Sequence, residues 1–149
     1  LTNGELYDYY APWKCNYNIE LVALSLSRLV RFNGHGTYPY TVAQHSVEVA
    51  QRVKPKLAFA ALMHDAHEAF VCDIPTPLKK LLGQAYADIE RVAQLELSER
   101  FRVDRNHVGH PEIVDADTKV LELEFSNKIM CYSSYESFDL FMHWFKELS

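Results

Sequence analysis

The chain of 149 residues is poor in the residue types that mark the special structural classes. Its three cysteines, Cys15, Cys72 and Cys131, form no Cys-x-x-Cys pair and leave one unpaired under any disulfide scheme. That excludes a disulfide-stapled module and fits a reducing compartment. Five glycines and six prolines exclude a collagenous or low-complexity chain. No apolar run approaches the roughly 20 residues of a membrane span, and no leader-like segment opens the chain, so the expected location is the cytoplasm, the host's if the chain is phage-encoded. Positive charge is in deficit: fifteen Lys and Arg against twenty Asp and Glu give a net charge of -5. This argues against a wrapper of polymeric nucleic acid and against a polybasic membrane binder, and leaves room for a small phosphorylated ligand held by a few local cations.

What the chain does have is core-forming material, 48% of it hydrophobic. A chain of this length buries roughly 70% of the surface it exposes when unfolded, so it needs no structural metal to fold, and any metal would serve chemistry. Nothing alternates at period two, and apolar residues recur at three and four, which predicts an all-α bundle of about six or seven helices. Residues 1–17 read as an irregular aromatic arm, with Tyr7, Tyr9, Tyr10, Trp13 and Tyr17 either forming a stacking or subunit surface or packing over the core. Residues 18–149 read as one helical domain. Asn18 and Thr41 are placed to cap the first two helices. The third helix is predicted to run from about Lys56 to Phe70. Later helices are expected at 85–101, with Ile89, Val92, Ala93 and Leu95 inward, at 112–131 and at 135–148.

Polar residues on apolar faces single out the candidate site. The third helix is apolar until it turns abruptly into His64, Asp65, His67 and Glu68. Buried charge needs a partner, and imidazole with carboxylate suits a divalent transition metal. His64 and Glu68, four apart, are expected to share a face of this helix, flanked by Asp65 and His67. Two further candidates stand on apolar helical faces, His45 and Asp117; alone, such a histidine is more often a hydrogen-bonded core residue, and Asp117 reads equally as a capping or surface acid.

Taken together, His45, the His64-Asp65 doublet and Asp117 resemble the ligand set of the HD-domain phosphohydrolases. The order Arg31-Phe32-Asn33-Gly34-His35, then Thr41 to Ser46, His64 to Ala69 and Asp73-Ile74-Pro75-Thr76-Pro77-Leu78-Lys79 is similar to the nucleotide-acting branch of that superfamily, which includes bacterial 5′-deoxynucleotidases and phage dATP triphosphohydrolases. The resemblance implies an HD-domain helical bundle holding one divalent ion (Co, Mn, Zn, Fe or Mg), with a second ion as an option beside a bound triphosphate. It implies Glu68 as the residue that activates or positions the attacking water, and Asp73 at the sugar or the water. Arg31 and Lys79 suit phosphate oxygens, Phe32 suits the sugar 2′ position, and Thr76 belongs to the same connector. His35 and His67 are further candidates for the phosphate. His67 departs from the small residue several relatives carry there, and an added ligand or a proton shuttle are its other readings.

The expected activity is metal-dependent hydrolysis of deoxynucleotides. A triphosphohydrolase releasing triphosphate is the first expectation, because Arg28, Arg31, Lys79 and Lys80 could together serve a triphosphate; a 5′-deoxynucleotidase acting on monophosphates is the alternative. A non-catalytic nucleotide sensor is the contrasting class, separated by whether added divalent metal produces turnover. The expected partners are a small deoxynucleotide and further copies of the chain.

Overall fold

Asn18 and Thr41 begin the first two helices as predicted: each side-chain oxygen accepts a hydrogen bond from the backbone N–H three residues on. In the computed structural model, which describes Leu1 and residues 3–149, the helices are α1 (Ile19–Leu26), α2 (Val42–Ala50), α3 (Pro55–Leu62), α4 (Glu68–Val71), α5 (Thr76–Leu82), α6 (Gln84–Arg100), α7 (Pro111–Phe125) and α8 (Ser134–Leu148). Among the described residues there is no strand, only an isolated antiparallel bridge between Val30 and Thr41 that closes the loop between α1 and α2. No described helix is long and apolar enough to cross a membrane. Cys15, Cys72 and Cys131 are free thiols.

The predicted third helix is two helices. Regular bonding stops at Met63, and residues 64–67 continue in tight turns, with Ala66 N–H donating to Met63 O at 3.1 Å and Glu68 N–H to Asp65 O at 3.0 Å. Turns of this kind bring residues three apart into line, where an α-helix aligns residues four apart. Asp65 and Glu68 therefore point to one side, and the expected sharing of a face by His64 and Glu68 is lost.

The centre of the bundle is α2, packed on α1, α3, α7 and α8. Gln44, His45 and Ser46 are buried there with their apolar neighbours. The Gln44 amide is satisfied at both ends, donating to Met130 O at 2.6 Å and accepting from Tyr132 N–H at 3.0 Å. Helix α7 faces this core with Ile113, Ala116, Val120 and Glu124. Helix α6 buries only Ala93, Leu97 and Ser98 and leaves Ile89 and Leu95 exposed, against expectation, because a narrow stripe of it meets α4, α5 and the arm.

The arm packs on the core. Tyr7 stacks on Phe70 at 4.1 Å, Tyr9 Oη donates to Phe70 O at 2.7 Å, and Arg100 lies over the Tyr17 ring while donating to Cys15 O. Leu6, Tyr10 and Trp13 stay exposed.

Candidate metal centre

Three parts of the chain bring His45, His64, Asp65 and Asp117 together. His45 comes from the buried middle of α2, the doublet from the turns after α3, and Asp117 from α7 beside buried Ala116. Nε2 of His45 stands 3.0 Å from Asp117 Oδ1 and 3.6 Å from Asp65 Oδ2, and Nε2 of His64 stands 3.2 Å from the same Asp65 oxygen. Ligand atoms of His45, His64 and Asp65 all lie within 4.8 Å of one another. Two donors each about 2.1 Å from one ion, at right or tetrahedral angles, stand about 3.0–3.4 Å apart, so the spacing suits a single cation.

The ring orientations make the same point. Nδ1 of His45 lies 2.7 Å from Glu124 Oε1, and Nδ1 of His64 lies 2.7 Å from Ala61 O. Both acceptors take a proton from Nδ1, so in the neutral ring the free lone pair is on Nε2. Both Nε2 atoms are buried and make no hydrogen bond among the described residues. Two buried Nε2 atoms turned toward two carboxylates form a donor set that suits a divalent cation. Burial alone would push the Asp65 carboxyl up, but the His64 and His45 rings hold it well below the usual carboxylate range. Asp117 is likewise held low by the same two histidines against the effect of its own burial. For His64, burial opposes the charged ring and Asp65 raises it, the second effect prevailing.

Glu124 was not anticipated from the sequence. Its carboxylate spans two partners, Oε1 meeting His45 and Oε2 accepting from Arg31 Nε at 3.1 Å, and it is almost wholly buried. Its signal was the one used for His45: a polar residue on the apolar stripe Ile113, Ala116, Val120, four positions after Val120. Replacing Glu124 with Gln keeps the shape but loses the acceptor charge that orients His45. The expected result is metal affinity lowered by about 10–100-fold, the range for groups that hold a ligating histidine in place, read by isothermal titration of the ion into the chelator-treated protein.

The cluster lies between two clefts. The front cleft, about 340 Å³, is lined by Arg31, Phe32, Asp65, Glu68, Asp73, the connector from Ile74 to Pro77, Lys79, Asp117, Leu121 and Phe125. The rear cleft, about 310 Å³, is lined among others by His64, Asp65, His67, Lys79, Glu90, Arg91, Gln94 and Asp117. Thr76 and Lys79 thus reach the front cleft as the motif order implies. Phe32, in the left-handed region at φ 57°, sets its ring 4.8 Å from Phe125 on the cleft wall. His67 is buried but faces the rear, with Nε2 3.5 Å from Glu90 Oε1. His35 is exposed and lines neither cleft. His107 and His110 stay in the loop before α7, where His110 Nδ1 caps the helix by accepting from Glu112 N–H.

Electrostatics set Glu68 apart. Burial, together with the Asp65 and Asp73 charges, pushes its carboxyl up to about 10, so it holds its proton in the ion-free protein. Asp73 is raised by burial as well, partly offset by Arg31.

Residues 25–122 match the family described as 5'-deoxynucleotidase YfbR-like. The chain is 40% identical over 121 residues to the uncharacterized protein YfdR of Escherichia coli K12, covering 81% of this chain and 64% of that protein. It is 33% identical over 99 residues to an uncharacterized protein of Rhodobacter capsulatus, covering 60% of this chain and 50% of that one. The chain thus spans less than two-thirds of the length of either relative. It belongs to the YfbR-like family.

Proposed function

We propose that this member of the YfbR-like family is a metal-dependent 5′-deoxynucleotidase, hydrolysing deoxynucleoside monophosphates to deoxynucleoside and inorganic phosphate. The observation that carries the reading is the front cleft: one wall is the candidate cation site, and its lining supplies only two cationic side chains, Arg31 and Lys79. Two cations beside a divalent ion match one phosphate. The triphosphate expectation relied on Arg28 and Lys80, but Arg28 lines a separate cavity with Leu1 and Ser25, and Lys80 lines neither cleft. The family description favours the monophosphate as well.

In this reading His45, His64, Asp65 and Asp117 hold the divalent ion, which supplies Lewis acidity at the phosphorus centre. Arg31 is fixed by Glu124 and lies 3.7 Å from Asp65 through Nη1, so its guanidinium is pre-set beside the cluster for a phosphate oxygen. Phe32 and Phe125 present aromatic faces to the sugar and base, and Phe32 crowds a 2′-hydroxyl. Thr76 and Asp73 offer hydrogen bonds to the sugar from a connector that Pro75 and Pro77 keep rigid. Glu68 faces the same cleft as Asp65, placed to take a proton from the attacking water once a cation offsets the neighbouring carboxylates. The exposed Leu6, Tyr10 and Trp13 are the natural contact for the homo-oligomer that belongs to this reading.

The test is a screen of deoxy- and ribonucleoside mono- and triphosphates with Co, Mn, Zn, Fe and Mg, reading phosphate and triphosphate separately. Phosphate from deoxynucleoside monophosphates, with dAMP well ahead of AMP, is the expected result. Triphosphate released from dATP would return the reading to a triphosphohydrolase, and no turnover with any ion would leave a nucleotide sensor.

A further inference from the structure

Among the described residues Lys79 is the only cationic side chain that lines both clefts, and the helix that carries it is poorly anchored. Helix α5 has no buried residue and packs chiefly against α6. What fixes the ammonium is Glu90, on the inner side of α6: Lys79 Nζ donates to Glu90 Oε1 at 2.5 Å and lies 6.0 Å from the centre of the Tyr86 ring. The same Glu90 oxygen stands 3.5 Å from Nε2 of buried His67. Glu90 belongs to the rear cleft alone and does not line the cleft where the nucleotide is placed. The His67 ring beside it, and then the Lys79 ammonium, hold its carboxyl down at about 2, so it carries its charge throughout the physiological range.

We propose that Glu90 is a positioning residue: its carboxylate, braced by His67, holds the Lys79 ammonium at the divide between the two clefts, where that ammonium meets the substrate phosphate. The proposal rests on the nucleotidase reading. A free lysine gives up rotamer freedom when it is fixed, and an ammonium already held on the rear side loses little of that on meeting a phosphate. Without Glu90 both the side chain and its weakly anchored helix would have to be ordered by the substrate itself. This also gives the histidine between the doublet and Glu68 a purpose distinct from the metal.

The test uses Glu90→Gln, Lys79→Met and the double variant of the metal-loaded protein. Glu90→Gln is expected to raise KM for dAMP about 10-fold, the loss of a charge-assisted hydrogen bond, with kcat within about 3-fold. Inhibition by deoxyadenosine, which has no phosphate, stays unchanged. In the Lys79→Met background Glu90→Gln adds nothing, since the residue acts only through Lys79. Acetylation of Lys79 by acetic anhydride, followed by mass spectrometry, is faster in Glu90→Gln than in the wild type. If Glu90→Gln weakens deoxyadenosine and dAMP equally, or costs as much without Lys79 as with it, the proposal is overturned. If the wild type hydrolyses no deoxynucleoside monophosphate, the nucleotidase reading fails separately, and the acetylation rate decides alone whether Glu90 holds Lys79: faster supports the hold, unchanged overturns it.

Discussion

Replacing Asp65 with alanine is expected to remove both the bound ion and the turnover. Asp65 Oδ2 is the atom that faces both Nε2 atoms, at 3.6 Å from His45 and 3.2 Å from His64, so its loss leaves the two imidazoles without the carboxylate between them. A divalent ion contributes several kcal/mol of charge stabilisation at a phosphoryl centre, so the expected fall in turnover is about 10³-fold or more. The fold should persist, because Asp65 lies in the turns between α3 and α4 and the apolar core does not depend on it. Two measurements separate this from unfolding. Metal content by elemental analysis drops below one equivalent in the variant. Added ion raises the melting temperature of the wild type by mass action on the folded state and leaves the variant unmoved. A variant that kept its ion and its rate would remove Asp65 from the centre.

What the sequence makes legible is what disturbs a local pattern. His45 and Asp117 were legible because a polar residue among Val42, Val49, Val114 and Val120 breaks a helical pattern, and the caps Asn18 and Thr41 were legible because capping is local. The break at Met63 was not, because residues 56–70 keep a helical composition throughout, with no glycine or proline after Lys56. Only the tertiary demands of the cluster select the tighter turns, and the change from four-residue to three-residue spacing moved Glu68 from His64 to Asp65. Glu124 breaks its apolar stripe as His45 does, yet what it and Glu90 hold is not written in either helix. Each supports another side chain across helices, Glu124 reaching His45 at a separation of 79 residues and Glu90 reaching Lys79 at 11, and no spacing along one helix reveals such a partner. The extra cations expected for a triphosphate do not gather at the front cleft: Arg28 is near Arg31 in sequence, but the chain turns between them and Arg28 lines a different cavity.

Glu68→Gln should separate metal content from rate. The side chain is buried and lines the front cleft without belonging to the ligand cluster, so the variant binds one ion with near wild-type affinity. Turnover falls by about 10²–10⁴-fold, the usual cost of a lost general base. An independent readout follows from its raised carboxyl. In the ion-free protein the folded state keeps the Glu68 proton up to pH of about 10, whereas the unfolded chain gives it up near 4.5. Between those values the unfolded state binds fewer protons, so folding loses stability as pH rises, by at most about 1.4 kcal/mol per pH unit. Glutamine has no proton to lose and escapes that cost. With chelator present Glu68→Gln should therefore melt higher than the wild type at pH 7, with a smaller gain at pH 6 and none below pH 4. Adding the divalent ion should narrow the difference, because a cation beside Asp65 removes part of the repulsion that keeps Glu68 protonated. Equal melting of the two proteins from pH 5 to pH 8 would show that the carboxyl is solvated and ionised in the ion-free state. Unimpaired turnover in the variant would show that the water needs no carboxylate at this position.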